Sequence, residues 1–311
     1  MCDATIESST AAIVQWQNAA LWQRMSWVRT PLAAPKSPTE HLRRPVPRAP
    51  QSPPPSSAVA ASAASSRIFA GTSGWAYPTW KPDFYPAGIP AKRFLEFYSS
   101  QLSSVEVNYT FRALPTATML EGWLASTTEF FRFSFKAPQR ITHIKRLNAC
   151  DDDVAYFLST LEPVRQAGKL GLVLFQLPPN LKADAVRLSA FLAAPALRAS
   201  GAAPIAFEFR HASWFSEEIY AILRAHNAAL CIAESDDLAT PEVHTASTHT
   251  SFRLRRTGAY SSDELDAFVQ RFSDLARDRD VYIYFKHEDE PSGALNAVSF
   301  LAGVAAKAGQ S

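Results

Sequence analysis

Five charged side chains stand where short apolar runs of this chain give out: Glu106, Lys136, Glu208, Arg210 and Arg253. Two carboxylates with a cationic amine among them are equipment for general acid/base chemistry, in which one group supplies a proton and another removes it. A glycoside-cleaving pair needs its carboxyl groups about 5 to 10 Å apart, a separation that distance along the chain does not set. The same residues serve equally well as a satisfied polar plug, each Glu neutralised by Arg210, Arg253 or Lys136, because buried ion pairs are also structural. Glu106, Glu208 and Lys136 are the candidate catalytic residues under the first reading.

A second group at the same run ends is suited to holding a ligand. Ser73, Trp75 and Tyr77 follow the first run, Asn108 and Tyr109 the second, Gln176 the fourth, Arg210, His211 and Trp214 the fifth, and Arg253 lies in the seventh. Aromatic faces beside carboxylates and cations suit a sugar ring, a nucleobase or a phosphorylated small molecule. Guanidinium forks pair with carboxylate or phosphate oxygens, and the Gly71 to Gly74 turn adds backbone amides, a weak anion signal by itself. Ser73 lies in Gly-Thr-Ser-Gly, not in a Gly-x-Ser-x-Gly elbow, so it reads as a turn cap and not a nucleophile. Glu106, Glu208, His211, Asp236 and His287 could converge on a divalent cation, but no His-x-His or His-Glu-x-x-His spacing occurs, and no cofactor is expected.

The elements that carry these residues are eight apolar runs: Ile68 to Gly71, Val105 to Asn108, Phe131 to Lys136, Gly171 to Gln176, Ile205 to Arg210, Ala229 to Glu234, Ser251 to Leu254 and Val281 to Phe285. Most are followed by a stretch of helical period, such as Leu95, Tyr98 and Leu102 behind Pro90, or Leu265, Phe268, Phe272 and Leu275 behind a capping-box pair, Ser261 and Glu264. Repeated βα units imply a parallel sheet, and eight of them a closed (β/α)₈ barrel of the α/β class, with ligands at the strand carboxyl ends. One helix is expected to be weak or missing between strands 6 and 7, where Asp236 to His249 has no apolar stripe. Within strands, Val105, Val107, Phe133, Phe135, Phe207, Phe209, Phe252 and Leu254 occupy one phase; Glu106, Asn108, Lys136, Glu208, Arg210, Arg253 and Arg255 occupy the other. The apolar phase must meet the outer helices, so the charged phase should point into the barrel.

The chain has 311 residues, and its 31 basic and 29 acidic side chains leave a formal net charge of +2, too balanced for nucleic-acid or anionic-membrane binding on electrostatics alone. Three cysteines without paired spacing point to a reducing, cytoplasmic setting, and no apolar run reaches membrane-spanning length. Residues 1–66 differ in composition: positions 30 to 66 are crowded with Pro, Ala and Ser and are expected to be disordered, preceded by a possible amphipathic helix from Ala11 to Val28. A folded domain is expected over 67–309.

Gly71-Thr72-Ser73-Gly74-Trp75-Ala76-Tyr77, with Trp80 and Phe84-Tyr85-Pro86 behind it, resembles the YecE-like family. Glu106-Val107-Asn108-Tyr109-Thr110-Phe111, Phe135-Lys136-Ala137-Pro138, Gly171 to Pro179 and Glu208-Phe209-Arg210-His211 with Ser213-Trp214 follow in order, over roughly residues 67 to 306. The resemblance implies a TIM barrel of unestablished function and a site at the strand ends. Two departures stand out. The family shows Arg-x-His-Gly after strand seven and Phe-Asn-Asn at strand eight, where this chain has Arg253-Leu254-Arg255-Arg256 and Phe285-Lys286-His287. If those family positions are catalytic, substrate preference or activity is altered here. The expectation is hydrolase- or isomerase-like acid/base chemistry on a small anionic or sugar-like ligand; the alternative is a non-catalytic module that binds nucleic acid, through the basic run at Arg253 to Arg256, or a partner protein.

Overall fold

The computed structural model describes residues 67–198, 203–235, 238–255, 260–285 and 290–309. Each apolar run forms a strand: β1 (Ile68–Thr72), β2 (Ser104–Val107), β3 (Arg132–Lys136), β4 (Leu170–Gln176), β5 (Ile205–Glu208), β6 (Ala229–Glu234), β7 (His249–Leu254) and β8 (Asp280–Phe285). All ladders are parallel, and the strands lie in the order β1-β8-β7-β6-β5-β4-β3-β2. The expected disordered tail over 1–66, with its amphipathic segment, lies outside the described residues.

Side chains close the remaining gap, between β1 and β2. Tyr98 Oη accepts from the Thr72 amide at 2.8 Å and donates to the Ser104 carbonyl at 3.1 Å, while Ser103 Oγ accepts from the Ala70 amide at 2.9 Å. The strands approach so closely that a Cβ at Gly71 would sit 1.8 Å from the Ser104 carbonyl oxygen, which only glycine avoids.

Helices follow the strands: α1 (Phe94–Gln101), α2 (Ala117–Ala125), α3 (Asp151–Thr160), α4 (Glu162–Gln166), α5 (Ala185–Leu192), α6 (Pro195–Arg198), α7 (Glu217–Ala225), α8 (Ser262–Leu275) and α9 (Ser292–Ala308). Their starts follow local chemistry. Thr116, Asp184 and Ser216 each accept an amide of the first turn, and Ser261 with Glu264 forms a reciprocal capping box. No helix occurs among the described residues between β6 and β7. There Thr245 Oγ1 accepts from the Leu230 amide (2.8 Å) and donates to the Ala228 carbonyl (2.7 Å), pinning a loop against β6. A cavity of about 270 Å³, lined by Ile232, Phe252, Leu254, Phe268 and Arg271 among others, remains beside it.

Two apolar layers result from the alternation. Val107, Phe135, Phe175, Phe207, Phe252 and Ile283 join the helices in the outer core. Leu172, Leu174, Ala206, Cys231, Tyr282 and Tyr284 form a separate cluster inside the barrel. Tyr284 Oη bonds Ser104 Oγ (2.8 Å) and Ser134 Oγ (2.6 Å), so the barrel interior is tied across from β8 to β2 and β3. Among the described residues no helix is long and apolar enough to cross a membrane.

Candidate functional site

Above that inner cluster the charged phase converges. Arg253, in register between Ala233 of β6 and Tyr284 of β8, is 1 % exposed and reaches across the barrel. One guanidinium nitrogen donates to Glu106 Oε1 at 2.7 Å and the other to Glu208 Oε2. Ser73 Oγ donates to the same Glu106 oxygen at 2.7 Å. Gln176 and Glu208 are register partners, and their side chains meet at 2.8 Å; Arg210 Nε adds a bond to Glu208 at 3.0 Å. Ser73, Glu106, Gln176, Glu208, Arg210 and Arg253 are thus one connected network. The network is asymmetric: Arg253, not Arg210, is the buried counter-ion, since Arg210 keeps 41 % of its side chain exposed.

Lys136 stands beside this network without joining it. Its ammonium lies 4.2 Å from the Phe111 ring centre, and among the described residues it has no hydrogen-bond or ion-pair partner. Burial lowers its pKa, Arg253 and Arg210 lower it further, and the attraction of Glu106 and Glu208 only partly offsets them, leaving it at about 8. The opposite holds for Glu208. Burial alone would raise its carboxyl, but Arg253, Arg210 and Arg255 outweigh burial and hold it at about 2. Three buried atoms in this region lack a hydrogen-bond partner among the described residues: Glu106 Oε2, Asn108 Oδ1 and Arg253 Nε. Leaving buried polar atoms unpaired costs about 1–3 kcal/mol each.

The aromatic candidates divide differently. Trp214 is fully buried, stacked on Phe209 at 4.5 Å and 2°, with its indole nitrogen donating to the Leu181 carbonyl at 2.7 Å. It packs with the outer phase of the strand, so its expected place among the ligand-binding residues does not hold. His211 is turned to its own chain, its Nδ1 accepting from the Ser213 amide at 3.1 Å. Trp75 and Tyr77 are half-buried and engaged locally: Trp75 packs edge-on against Trp123 of α2, and Tyr77 lies 4.7 Å from Trp80 and donates to the Ser73 carbonyl at 3.2 Å. Gly74, at φ 113°, makes that turn, and a Cβ there would strike the Tyr77 hydroxyl. Tyr109 is 43 % exposed. Asn108 follows Glu106 by two residues and heads the single turn Tyr109–Phe111.

Two groups that were not among the candidate catalytic or ligand-binding residues lie beside them, Arg255 already expected on the inward phase. Arg255 continues the inward phase of β7 and is electrostatically coupled to Glu208, Glu106, Arg253 and Arg210. His143 lies in the π-helical turn Arg140–Ile144, packs edge-on against Phe111 at 4.9 Å, and has its pKa lowered by burial and then by Lys136, Arg210 and Arg146. Arg255 was legible from alternation. His143 was not, because its turn has no repeating pattern. No cluster of three or more metal-ligating side chains occurs among the described residues, and Asp236 and His287 lie outside them. Between Glu106 and Glu208, where a cation would bridge carboxylates, the Arg253 guanidinium does so.

A family model described as "Protein of unknown function DUF72" matches residues 69–311. UPF0759 protein YunF of Bacillus subtilis (strain 168) is 31% identical over 157 residues, 49% of this chain and 54% of that protein. UPF0759 protein YecE of Escherichia coli (strain K12) is 37% identical over 111 residues, 36% of this chain and 38% of that protein. The chain therefore matches about half or less of the length of these curated relatives. The crystal structure of a DUF72 family protein from Thermotoga maritima superposes with a TM-score of 0.65 at 26% identity, covering 76% of this chain and 98% of that one. A DUF72 family protein from Enterococcus faecalis shares the fold, with a TM-score of 0.62 at 16% identity over 76% of this chain and 95% of that one.

Proposed function

The chain belongs to the DUF72 family, and from that premise we propose that its barrel mouth binds a small anionic ligand and performs acid/base chemistry of a hydrolase or isomerase type. One observation carries the reading: in a mouth where Glu208 and one oxygen of Glu106 are fully engaged, Lys136 and Glu106 Oε2 have no hydrogen-bond or ion-pair partner among the described residues. Among the described residues Lys136, Arg210, Arg253 and Arg255 set four cations against the two carboxylates, an excess of two positive charges when Lys136 is protonated. That surplus calls for an anion, and guanidiniums suit phosphate or carboxylate. A pKa of about 8 lets Lys136 exchange a proton near neutrality, where general acid/base groups work best. Glu208, held at about 2, stays ionised and serves as the fixed anion that orients Arg253 and Arg210; a two-carboxylate mechanism with Glu208 as the acid has no support in this geometry.

The nucleic-acid alternative is weakened, because Arg253 is enclosed in the barrel and Leu254 is buried in the outer core, so these two residues add nothing to a basic surface stripe. Buried free thiols at Cys150 and Cys231 support a cytoplasmic location. A thermal-shift screen of inorganic phosphate, phosphorylated sugars, nucleotides and uncharged glycosides tests the reading, since a ligand selective for the folded state raises its melting temperature. The phosphate-bearing compounds should stabilise and the uncharged glycosides should not. Stabilisation by glycosides alone would replace the anion reading with a sugar site.

A further inference from the structure

Lys136 combines features that an ammonium kept only for charge would not need. It comes from the carboxyl end of β3 into the barrel mouth, both nearby carboxylates are committed to Arg253, and the surface against which it lies is the face of Phe111. The charged and titratable groups around it are Glu106 from β2, Glu208 and Arg210 at β5, Arg253 from β7 and His143 from the turn after β3. A lysine placed among other cations and against an apolar wall is an activated nucleophile.

We infer that Lys136 forms an imine with a small aldehyde or ketone that carries a phosphate or carboxylate group. The inference rests on the anion-binding reading of the same mouth and adds the reacting function. The neutral amine donates its lone pair to the carbonyl carbon, forming the C–N bond as the carbonyl π pair moves to oxygen. One proton passes from nitrogen to that oxygen, giving a carbinolamine. The C–O bond then breaks and water leaves with the second nitrogen proton, so amine plus carbonyl gives imine plus water, with no change of oxidation state. Glu106 Oε2, a carboxylate oxygen of the network without a hydrogen-bond partner among the described residues, is the group for carrying those protons. Arg255 and the exposed edge of Arg210 remain for the anionic end. At pH 7.5 an amine with a pKa of about 8 is about one-quarter neutral, against about one-thousandth at the ordinary value of 10.5.

The full chain is incubated at pH 7.5 with glycolaldehyde phosphate, glyoxylate or uncharged butyraldehyde, with cyanoborohydride present to reduce any imine to a stable secondary amine, and each lysine is quantified by peptide mass spectrometry. Lys136 should be labelled on the order of tenfold faster than the exposed Lys92 and Lys182, the lower basicity of the amine offsetting part of its larger neutral fraction. The two anionic aldehydes should react faster than butyraldehyde, and added inorganic phosphate should slow labelling at Lys136 alone. Lys136→Arg should remove the fast-reacting site and leave labelling of Lys92 and Lys182 at wild-type rates. If phosphate stabilises the wild-type chain but Lys136 is labelled no faster than Lys92 and Lys182, the anion site stands and the imine inference is wrong. If Lys136 reacts fast with all three aldehydes and phosphate neither competes nor stabilises, the amine is nucleophilic but the anionic substrate class is wrong.

Discussion

The lower and upper halves of the barrel interior are built from the same strands and treat polar atoms in opposite ways. Below, Tyr284, Ser104 and Ser134 satisfy one another, and the two serines also bond the Arg132 carbonyl and the Leu172 amide. Above, Arg253 holds two carboxylates, yet among the described residues Glu106 Oε2, Asn108 Oδ1 and Arg253 Nε have no hydrogen-bond partner, and Lys136 lies over the Phe111 ring with none either. A folded interior normally pairs its buried polar atoms. The lower half obeys that rule; among the described residues the upper half does not, and on that difference the proposed ligand site rests.

The largest effect should come from the one group both carboxylates depend on. Arg253→Met strands Glu106 and Glu208 in the barrel and should cost about 3–5 kcal/mol in denaturant melts, with part recovered by adding Glu106→Gln and Glu208→Gln. A small loss would mean that the upper half is solvated and the contrast false. Acid should act on the same contact. Because the Glu208 carboxyl is held at about 2 against 4.5 when unfolded, its contribution is complete above pH 4.5 and lost as pH falls toward 2. Glu208→Gln should flatten the stability curve over that window.

The lower half should respond more mildly and without consequence for binding. Tyr284→Phe removes two hydroxyl contacts whose serines keep other partners, so it should cost about 1–2 kcal/mol and leave ligand binding intact. Smallest of all, Arg210→Met should cost under about 1 kcal/mol, because that side chain is partly exposed and Glu208 retains Arg253.

That last pair marks where sequence reading stopped. Alternation put Glu208, Arg210 and Arg253 on the inward phase and left Arg210, Arg253 and Lys136 as equal candidates to neutralise each Glu; that Arg253, 45 residues from Glu208 on β7, is the buried partner is set by no local pattern. The barrel itself was legible because strand phase is local: Phe207 and Phe209 outward, Ala206 and Glu208 inward. Trp214 misled because a strand-end aromatic reads as a ligand platform, whereas stacking on outward Phe209 turned it into core. His143 escaped because the π-helical turn that carries it has neither of the two regular periods.

Lys136 offers a further discriminating slope. Below pH 8 both folded and unfolded chains hold its proton and the buried charge weighs on the fold; between about 8 and 10.5 only the unfolded chain holds it, so stability should rise with pH there. Lys136→Met should remove that rise between pH 8 and 9.5.

The proposal that the upper half binds an anion and the lower half does not is tested most directly by the thermal shift that inorganic phosphate gives at constant ionic strength in the wild type, Tyr284→Phe and Lys136→Met. At a hundredfold excess over the dissociation constant, phosphate should stabilise the first two alike, by about 2.7 kcal/mol, and leave Lys136→Met little changed. An equal shift in all three variants, or none in the wild type, would contradict it.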